Sequence, residues 1–93
     1  MTLLGEPVID AFKKTCPQSE KVLDRWMAIT RSAEWRSLVD IQKTFNSADY
    51  VAPFVIFNIG GNKYRLLAII DFRESVVIVR VVMTHKEYDK WKP

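Results

Sequence analysis

Residues 54–89, FVIFNIGGNKYRLLAIIDFRESVVIVRVVMTHKEYD, decide the fold of this chain. Three apolar, β-branched runs lie within this stretch, at residues 55–59, 64–70 and 76–83. Gly60, Gly61 and Asn62 separate the first two runs, and a Gly-Gly or Gly-Asn pair between strands favours a tight hairpin turn. Residues 71–75 can form only a short loop. The pattern therefore predicts a three-stranded antiparallel meander.

The residues before the meander have the spacing of helices. Pro7 suits the first turn of a helix that ends before Pro17, and a second helix is expected over residues 18–31. Its apolar stripe lies at helical spacing, with Val22, Trp26, Ile29 and Ala33 as its members and Leu23 and Met27 widening it. Ser37 is a candidate N-cap for a short third helix, and residues 2–4 form a possible edge strand. Helices followed by an antiparallel sheet predict an α+β fold, with two N-terminal helices packed on one face of a small antiparallel sheet.

Length and composition limit the classes of protein that fit. Ninety-three residues, 48% of them apolar, favour one domain over residues 1–93 with one core. No apolar run reaches the roughly 18 residues needed to span a bilayer, and the first residues lack the basic and apolar segments of a signal peptide. The single cysteine, Cys16, excludes an internal disulfide and a multi-cysteine metal site. We therefore expect a cytosolic protein with no membrane association.

The alternation of strand residues predicts which side chains share a face of the sheet. With a two-residue turn, either Gly60-Gly61 or Gly61-Asn62, Asn58 shares a face with Lys63 and Arg65. If Arg73 and Glu74 form the second turn, Arg65 pairs with Val82 and lies diagonal to Arg80 on that face, within reach of one phosphate. The opposite face would then be apolar and covered by helices, with Tyr64, Leu66, Ala68, Ile70, Val77, Val79, Val81 and Met83 as its members.

Two groups capable of proton transfer follow the third strand. His85 and Tyr88 are three residues apart, so one helical turn would align them at the rim of the basic face. Cleavage of RNA by its own 2′-OH needs one group to accept the 2′ proton, another to protonate the 5′ leaving oxygen, and cations to stabilise the phosphate. His85 can do either proton transfer near neutral pH, and Tyr88 can orient the 2′-OH or donate a proton. Arg65 and Arg80 can clamp the phosphate.

Two segments of this stretch resemble a known family. FNIGGNKYRL, at residues 57–66, and VMTHKEYD, at residues 82–89, are similar in order and spacing to segments of the HigB toxins of bacterial toxin–antitoxin pairs, within the RelE-like group. The resemblance implies a RelE-like fold and a metal-independent endoribonuclease, without a cofactor, that cuts translated mRNA in the ribosomal A site. The catalytic residues that it implies are Arg65, Arg80, His85 and Tyr88. The expected RNA-binding residues are Asn58, Asn62, Lys63 and Lys86.

The resemblance also implies partners and a location. The expected partners are a cognate antitoxin of the HigA type with a helix-turn-helix, the ribosome and its mRNA. Operator DNA would be reached only through the antitoxin. The expected location is the bacterial cytoplasm.

Simpler interpretations of the same residues remain open at this stage. A lone histidine is commonly a surface or capping residue, and Arg80 could pair with Asp71 or Glu74 on the surface. Three functions therefore compete. The first is the ribosome-dependent nuclease, and the second is a non-catalytic module that binds RNA or the ribosome and blocks translation. The third is a regulatory subunit that acts only through protein partners.

Overall fold

The computed structural model describes residues 1–91, and it contains the predicted meander. The three long strands are β3 (Phe54–Ile59), β4 (Tyr64–Asp71) and β5 (Val76–Thr84). The other elements, in chain order, are β1 (Thr2–Leu4), α1 (Glu6–Thr15), a 3₁₀ turn (Pro17–Ser19), α2 (Glu20–Ser32), α3 (Leu38–Thr44), β2 (Asp49–Val51) and α4 (His85–Lys90). The predicted α+β class is confirmed.

The five strands form one mixed sheet in the order β1-β5-β4-β3-β2. The expected edge strand at residues 2–4 is present, but it runs parallel to β5, so the sheet is not purely antiparallel. β2, which pairs antiparallel with β3, was not predicted. Its three residues follow a polar turn and two of them are exposed, so they carry no apolar alternation that sequence reasoning could detect.

The helices cover one face of the sheet and enclose the main core. Trp26 of α2 packs edge-to-face on Phe57 of β3, with ring centres 5.2 Å apart, and Leu66 of β4 is fully buried beside them. The predicted apolar stripe of α2 is confirmed for Leu23, Trp26 and Met27, but Val22, Ile29 and Ala33 are only half-buried. Packing on the sheet turns α2 so that its buried side consists of Leu23, Trp26, Met27 and Thr30.

A close contact between backbones positions α1 on β5. Gly5 precedes α1 with φ of 86°, a conformation that L side chains rarely adopt. A Cβ atom at this position would collide with the carbonyl oxygen of Val79. Glycine is therefore required where the chain leaves β1 and crosses the sheet.

The first hairpin turn is centred on Gly61 and Asn62, one of the two predicted placements. Gly61 and Asn62 have positive φ of 61° and 78°, and Lys63 N donates to Gly60 O at 3.4 Å. These are the features of a primed two-residue turn. Asn58 then pairs with Arg65, as one of the two predicted registers requires. Lys63 lies in the turn.

The second hairpin departs from the predicted register at a β-bulge. Between the loop and the pair Ala68–Val79, β4 and β5 pair as predicted. The next pair is Leu67 with Val81, so Arg80 is the extra residue of the bulge. The predicted pairing of Arg65 with Val82 is therefore wrong, because Arg65 pairs with Met83. The bulge also moves Val81 and Met83 off the helix-covered face, where they were predicted, and brings Val82 into the main core.

Candidate active site on the α4 face

The α4 face is the side of the sheet that points away from α1, α2 and α3. Its floor is a second apolar cluster formed by Ile56, Leu67 and Met83. Tyr88 and the adjoining Trp91 pack against this floor, with their rings stacked at 5.9 Å. α4 is thereby held over one end of the sheet, beside the first hairpin turn.

A capping box starts α4 directly at the end of β5. The Thr84 hydroxyl accepts from Glu87 N at 3.2 Å, and the Glu87 carboxylate accepts from Thr84 N at 2.9 Å. His85 N donates to Lys63 O at 2.9 Å, which joins the helix to the turn. Threonine with glutamate three residues later is the sequence signature of such a cap, so this feature could have been predicted.

Arg65 is the buried centre of the site. The residue is 7% exposed. Nη1 donates to the backbone oxygens of Asn62 and Tyr64 at 3.1 and 3.2 Å, and Nη2 donates to Asn62 Oδ1 at 2.6 Å. The guanidinium carbon lies 5.3 Å from the centre of the Tyr88 ring, a cation–π contact. One side chain therefore joins the turn, β4 and α4.

His85 lies against this guanidinium at the surface. Its Nδ1 is 3.4 Å from Arg65 Nη2 and 3.5 Å from Asp89 Oδ1. The side chain is 48% exposed. Within residues 1–91, Nε2 has no hydrogen-bond partner, so this nitrogen is accessible to a ligand.

Arg80 lies apart from Arg65. It is exposed at the bulge, and within the described part of the chain its side chain forms no ion pair with Asp71 or Glu74; Asp71 Oδ1 instead accepts from Glu74 N at 3.0 Å. The residue opposite Arg65, Met83, is three positions from Arg80, about 10 Å along a strand. Arg65 also extends the other way, toward Asn62. The pairing that was to bring both arginines within reach of one phosphate is therefore wrong, because the bulge shifts Arg80 along the strand and the turn engages Arg65.

The remaining predicted residues divide into those that the structure brings to this cluster and those that it does not. Asn62 bonds to Arg65, and Lys63 supplies the carbonyl that binds His85 N. Lys86 is exposed on α4, next to His85 in sequence, and Asn58 is half-buried opposite Arg65 on β3. Their roles in binding RNA stay predictions.

Sequence reasoning missed Asp89. It lies four residues after His85, which is the spacing at which side chains meet on a helix. The signal was therefore present in the VMTHKEYD segment.

Two further properties bear on the kind of protein. No helix within residues 1–91 is both long and apolar enough to span a membrane. Over the same residues, no three His, Cys, Asp or Glu side chains are grouped so that they could hold a metal ion.

The fold and this cluster fit the class of small RelE-like toxins. A family model described as HigB toxin, RelE-like toxic component of a toxin-antitoxin system, matches residues 19–91. The chain belongs to this family, which confirms the resemblance found in the sequence.

Curated relatives support the same assignment. The chain is 38% identical, over 53 residues, to the mRNA interferase toxin HigB of Escherichia coli (strain K12), an alignment that covers 57% of this chain and 51% of that protein. The same identity and coverage hold for the mRNA interferase HigB of Escherichia coli O157:H7 and of Shigella flexneri. The chain thus spans about half the length of the curated relatives it matches.

Proposed function

We propose that this chain is a ribosome-dependent mRNA endoribonuclease, the toxic half of a toxin–antitoxin pair. Membership of the HigB toxin family and the names of its relatives support this proposal. The observation that carries it is the cluster of His85 and Tyr88 around the buried Arg65. A half-exposed imidazole and a phenol are thereby held next to each other on a rigid base.

These groups suit cleavage by the 2′-OH of the substrate. The 2′ oxygen attacks the adjacent phosphorus and loses its proton, the bond from phosphorus to the 5′ oxygen breaks, and that oxygen leaves with a proton. The products are a 2′,3′-cyclic phosphate and a free 5′-OH. His85 and Tyr88 supply the two proton-transfer positions, with the assignment of acid and base open. Positioned acid–base groups of this kind contribute roughly 10²- to 10⁴-fold in rate.

The cations have separate roles in this proposal. Arg80 is exposed and contacts the substrate phosphate or a neighbouring one, and Lys63 and Lys86 attract the RNA backbone as exposed point charges. Arg65 is already engaged by Asn62 and Tyr64, so it positions His85 and Tyr88 and adds positive charge beneath them. This role replaces the bidentate phosphate contact expected from the sequence.

The openness of the site supports dependence on the ribosome. His85 lies on a half-exposed surface, at the end of a sheet. Attack by the 2′-OH requires the reacting oxygen, the phosphorus and the leaving oxygen to be in line, and alignment of this kind accounts for a large part of a catalysed rate. A surface site gives a flexible RNA little of this alignment, whereas a ribosome that holds the codon can supply it.

The partners follow from the family. A cognate antitoxin of the HigA type, with a helix-turn-helix domain, would neutralise the toxin and connect it to operator DNA, and the bacterial cytoplasm would be the site of action. Toxin–antitoxin membership supports an antitoxin partner. The type of antitoxin and the contact with DNA are parts of the proposal.

A reconstituted translation reaction with primer extension on the message tests the proposal. Wild type should give new 5′ ends within translated codons, and His85→Ala with Tyr88→Phe should reduce them by at least about 100-fold. Arg80→Ala should reduce them by about 10- to 100-fold, whereas Arg73→Ala, a control at an exposed loop arginine, should cleave like wild type.

Other outcomes would support the competing functions. Full cleavage by Arg80→Ala would remove that residue from the mechanism. Stalling of an intact message by the His85/Tyr88 double variant, with toxicity retained, would favour the non-catalytic binding module. Wild-type protein that has no effect on growth when expressed without its antitoxin would favour the regulatory subunit.

A further inference from the structure

Two side chains of opposite charge contact the same nitrogen of His85. Arg65 Nη2 is 3.4 Å from Nδ1, and Asp89 Oδ1 is 3.5 Å from it. Within residues 1–91, these are the charged side chains that contact the ring; Arg65 comes from β4 and Asp89 from α4. Lys63, in the adjoining turn, binds the backbone of His85 through its carbonyl oxygen.

Arg65 and Asp89 favour different positions of the ring proton. A guanidinium can only donate, so its contact with Nδ1 is a hydrogen bond when the neutral ring carries its proton on Nε2. A carboxylate can only accept, so the contact of Asp89 is attractive when Nδ1 carries the proton. One nitrogen cannot satisfy both neighbours at once.

The position of this proton decides what the outer edge of the ring can do. A proton on Nδ1 leaves the lone pair of Nε2 free to accept a proton from a 2′-OH. A proton on Nε2 turns the same edge into a hydrogen-bond donor. The balance between Arg65 and Asp89 therefore sets the share of neutral rings that can act as a base.

We propose that Asp89 is a positioning residue for His85. It keeps part of the neutral His85 population in the Nδ1–H form, against the preference of Arg65. In that form Nε2 is free to accept a proton. This inference rests on the proposed nuclease function. The Asp89 side chain is 61% exposed, and within residues 1–91 it contacts His85. A purely structural role would be support of α4 by an i,i+4 pair, which would change thermal stability and not cleavage.

The chain contains one histidine, which allows a direct measurement. Protein labelled with ¹⁵N-histidine gives one Nδ1 and one Nε2 resonance, and their chemical shifts at a pH where the ring is neutral report the tautomer ratio. Asp89→Asn should raise the ratio of Nε2–H to Nδ1–H by about two- to fivefold, the effect of weakening one exposed hydrogen bond. Arg65→Gln should shift the ratio in the opposite direction. Asp10→Asn removes the same charge from the exposed side of α1, so the ratio should not change.

Cleavage in the reconstituted system gives the second measurement. Asp89→Asn should reduce it by a factor that reaches about two- to fivefold when the Nε2–H form predominates, with thermal stability close to that of wild type, whereas Asp10→Asn should not reduce it. A tautomer ratio that Asp89→Asn leaves unchanged would overturn the inference, as would a wild-type ring that is already wholly Nε2–H. The inference would also be overturned if Asp89→Asn shifted the tautomer ratio toward Nε2–H while cleavage stayed unchanged or became faster.

The proposed role of Asp89 and the proposed nuclease function can be disproved separately. Normal cleavage by His85→Ala would end the catalytic role of His85, whatever the tautomer ratio shows. An unchanged ratio in Asp89→Asn, with cleavage still lost in His85→Ala, would end only the role of Asp89.

Discussion

Arg65 and His85 meet where β4 lies beside the start of α4, with Arg65 Nη2 3.4 Å from His85 Nδ1. The same guanidinium lies over the ring of Tyr88 and bonds to Asn62 in the turn. A buried arginine therefore fixes the two candidate proton-transfer groups relative to each other. This arrangement separates residues that organise the site from residues that would contact RNA.

Arg65 and Arg80 should differ in their effect on stability. Arg65→Ala leaves the carbonyls of Asn62 and Tyr64 without their donors, so the free energy of unfolding should fall by about 1–3 kcal/mol. Arg80→Ala removes an exposed side chain, so the change should stay within about 0.5 kcal/mol. Urea denaturation checks both values. Equal losses of stability in the two variants would contradict the separation of roles.

The cap at Thr84 should matter for cleavage more than for the fold. Thr84→Ala should cost about 0.5–2 kcal/mol and weaken α4, because the capping box is lost. Amides of α4 should then exchange with deuterium faster, and cleavage of mRNA should fall with the displacement of His85 and Tyr88.

Ser37→Ala is the matched control for this prediction. Ser37 caps α3 by accepting from Asp40 N at 3.3 Å, on the side of the sheet opposite α4. Its loss should cost a similar free energy while cleavage stays at the wild-type level. Cleavage that falls equally in both variants would show that global stability, and not α4, is the cause.

Gly5 and Gly61 should differ in their tolerance of a methyl group. Both have positive φ, so either substitution strains the backbone by about 1–2 kcal/mol. At Gly61 the added Cβ meets open space, but at Gly5 it collides with the Val79 backbone. Gly5→Ala should therefore lower the melting temperature more than Gly61→Ala, and similar values would contradict the close approach of the chain to β5.

Tyr64 should make the fold sensitive to alkaline pH. The hydrogen bond with Cys16 and the burial of the ring raise the pKa of the Tyr64 hydroxyl above its usual 10.0. The unfolded chain then releases this proton at a lower pH than the folded chain does, so stability is complete below pH 10.0 and falls as the pH rises further.

Denaturation measured across alkaline pH, with Tyr64→Phe, tests this dependence. In Tyr64→Phe the free energy of unfolding should fall less steeply above pH 10.0 than in wild type. Tyr50→Phe, a control at a tyrosine that is 54% exposed, should show the wild-type fall. A decline of the same size in wild type and Tyr64→Phe would assign the effect to other groups.

Much of the fold could be predicted because its signals are local. Gly61 and Asn62 mark a turn whose positive φ values few other residues adopt, and the β-branched runs on either side need a sheet to bury them. The bulge at Arg80 has no such signal. Valine flanks Arg80 on both sides, so the apolar pattern of β5 fits the sheet equally well with and without an extra residue. The predicted pairing of β4 with β5 beyond Arg80 is therefore wrong by one position.

The proximity of His85 and Tyr88 at the end of β5 could be predicted from the sequence, but the contacts of Arg65 could not. His85 and Tyr88 do lie together because one turn of helix aligns them. The burial of Arg65 depends on the path of the turn, which brings Asn62 O and Oδ1 to the guanidinium. A strand arginine in a sequence is expected to face solvent or a partner, and contacts made across a folded turn cannot be read from spacing alone.

α4 has six residues, none of them buried, and so short a helix is not stable alone. The Thr84 cap, Lys63 O and the rings of Tyr88 and Trp91 keep it in place, while Trp26 and Phe57 hold together a separate interior. We therefore expect detachment of α4 to cost less free energy than unfolding of the whole protein. Warming should therefore lower the proposed nuclease activity while the bulk of the protein stays native, and cooling should restore it.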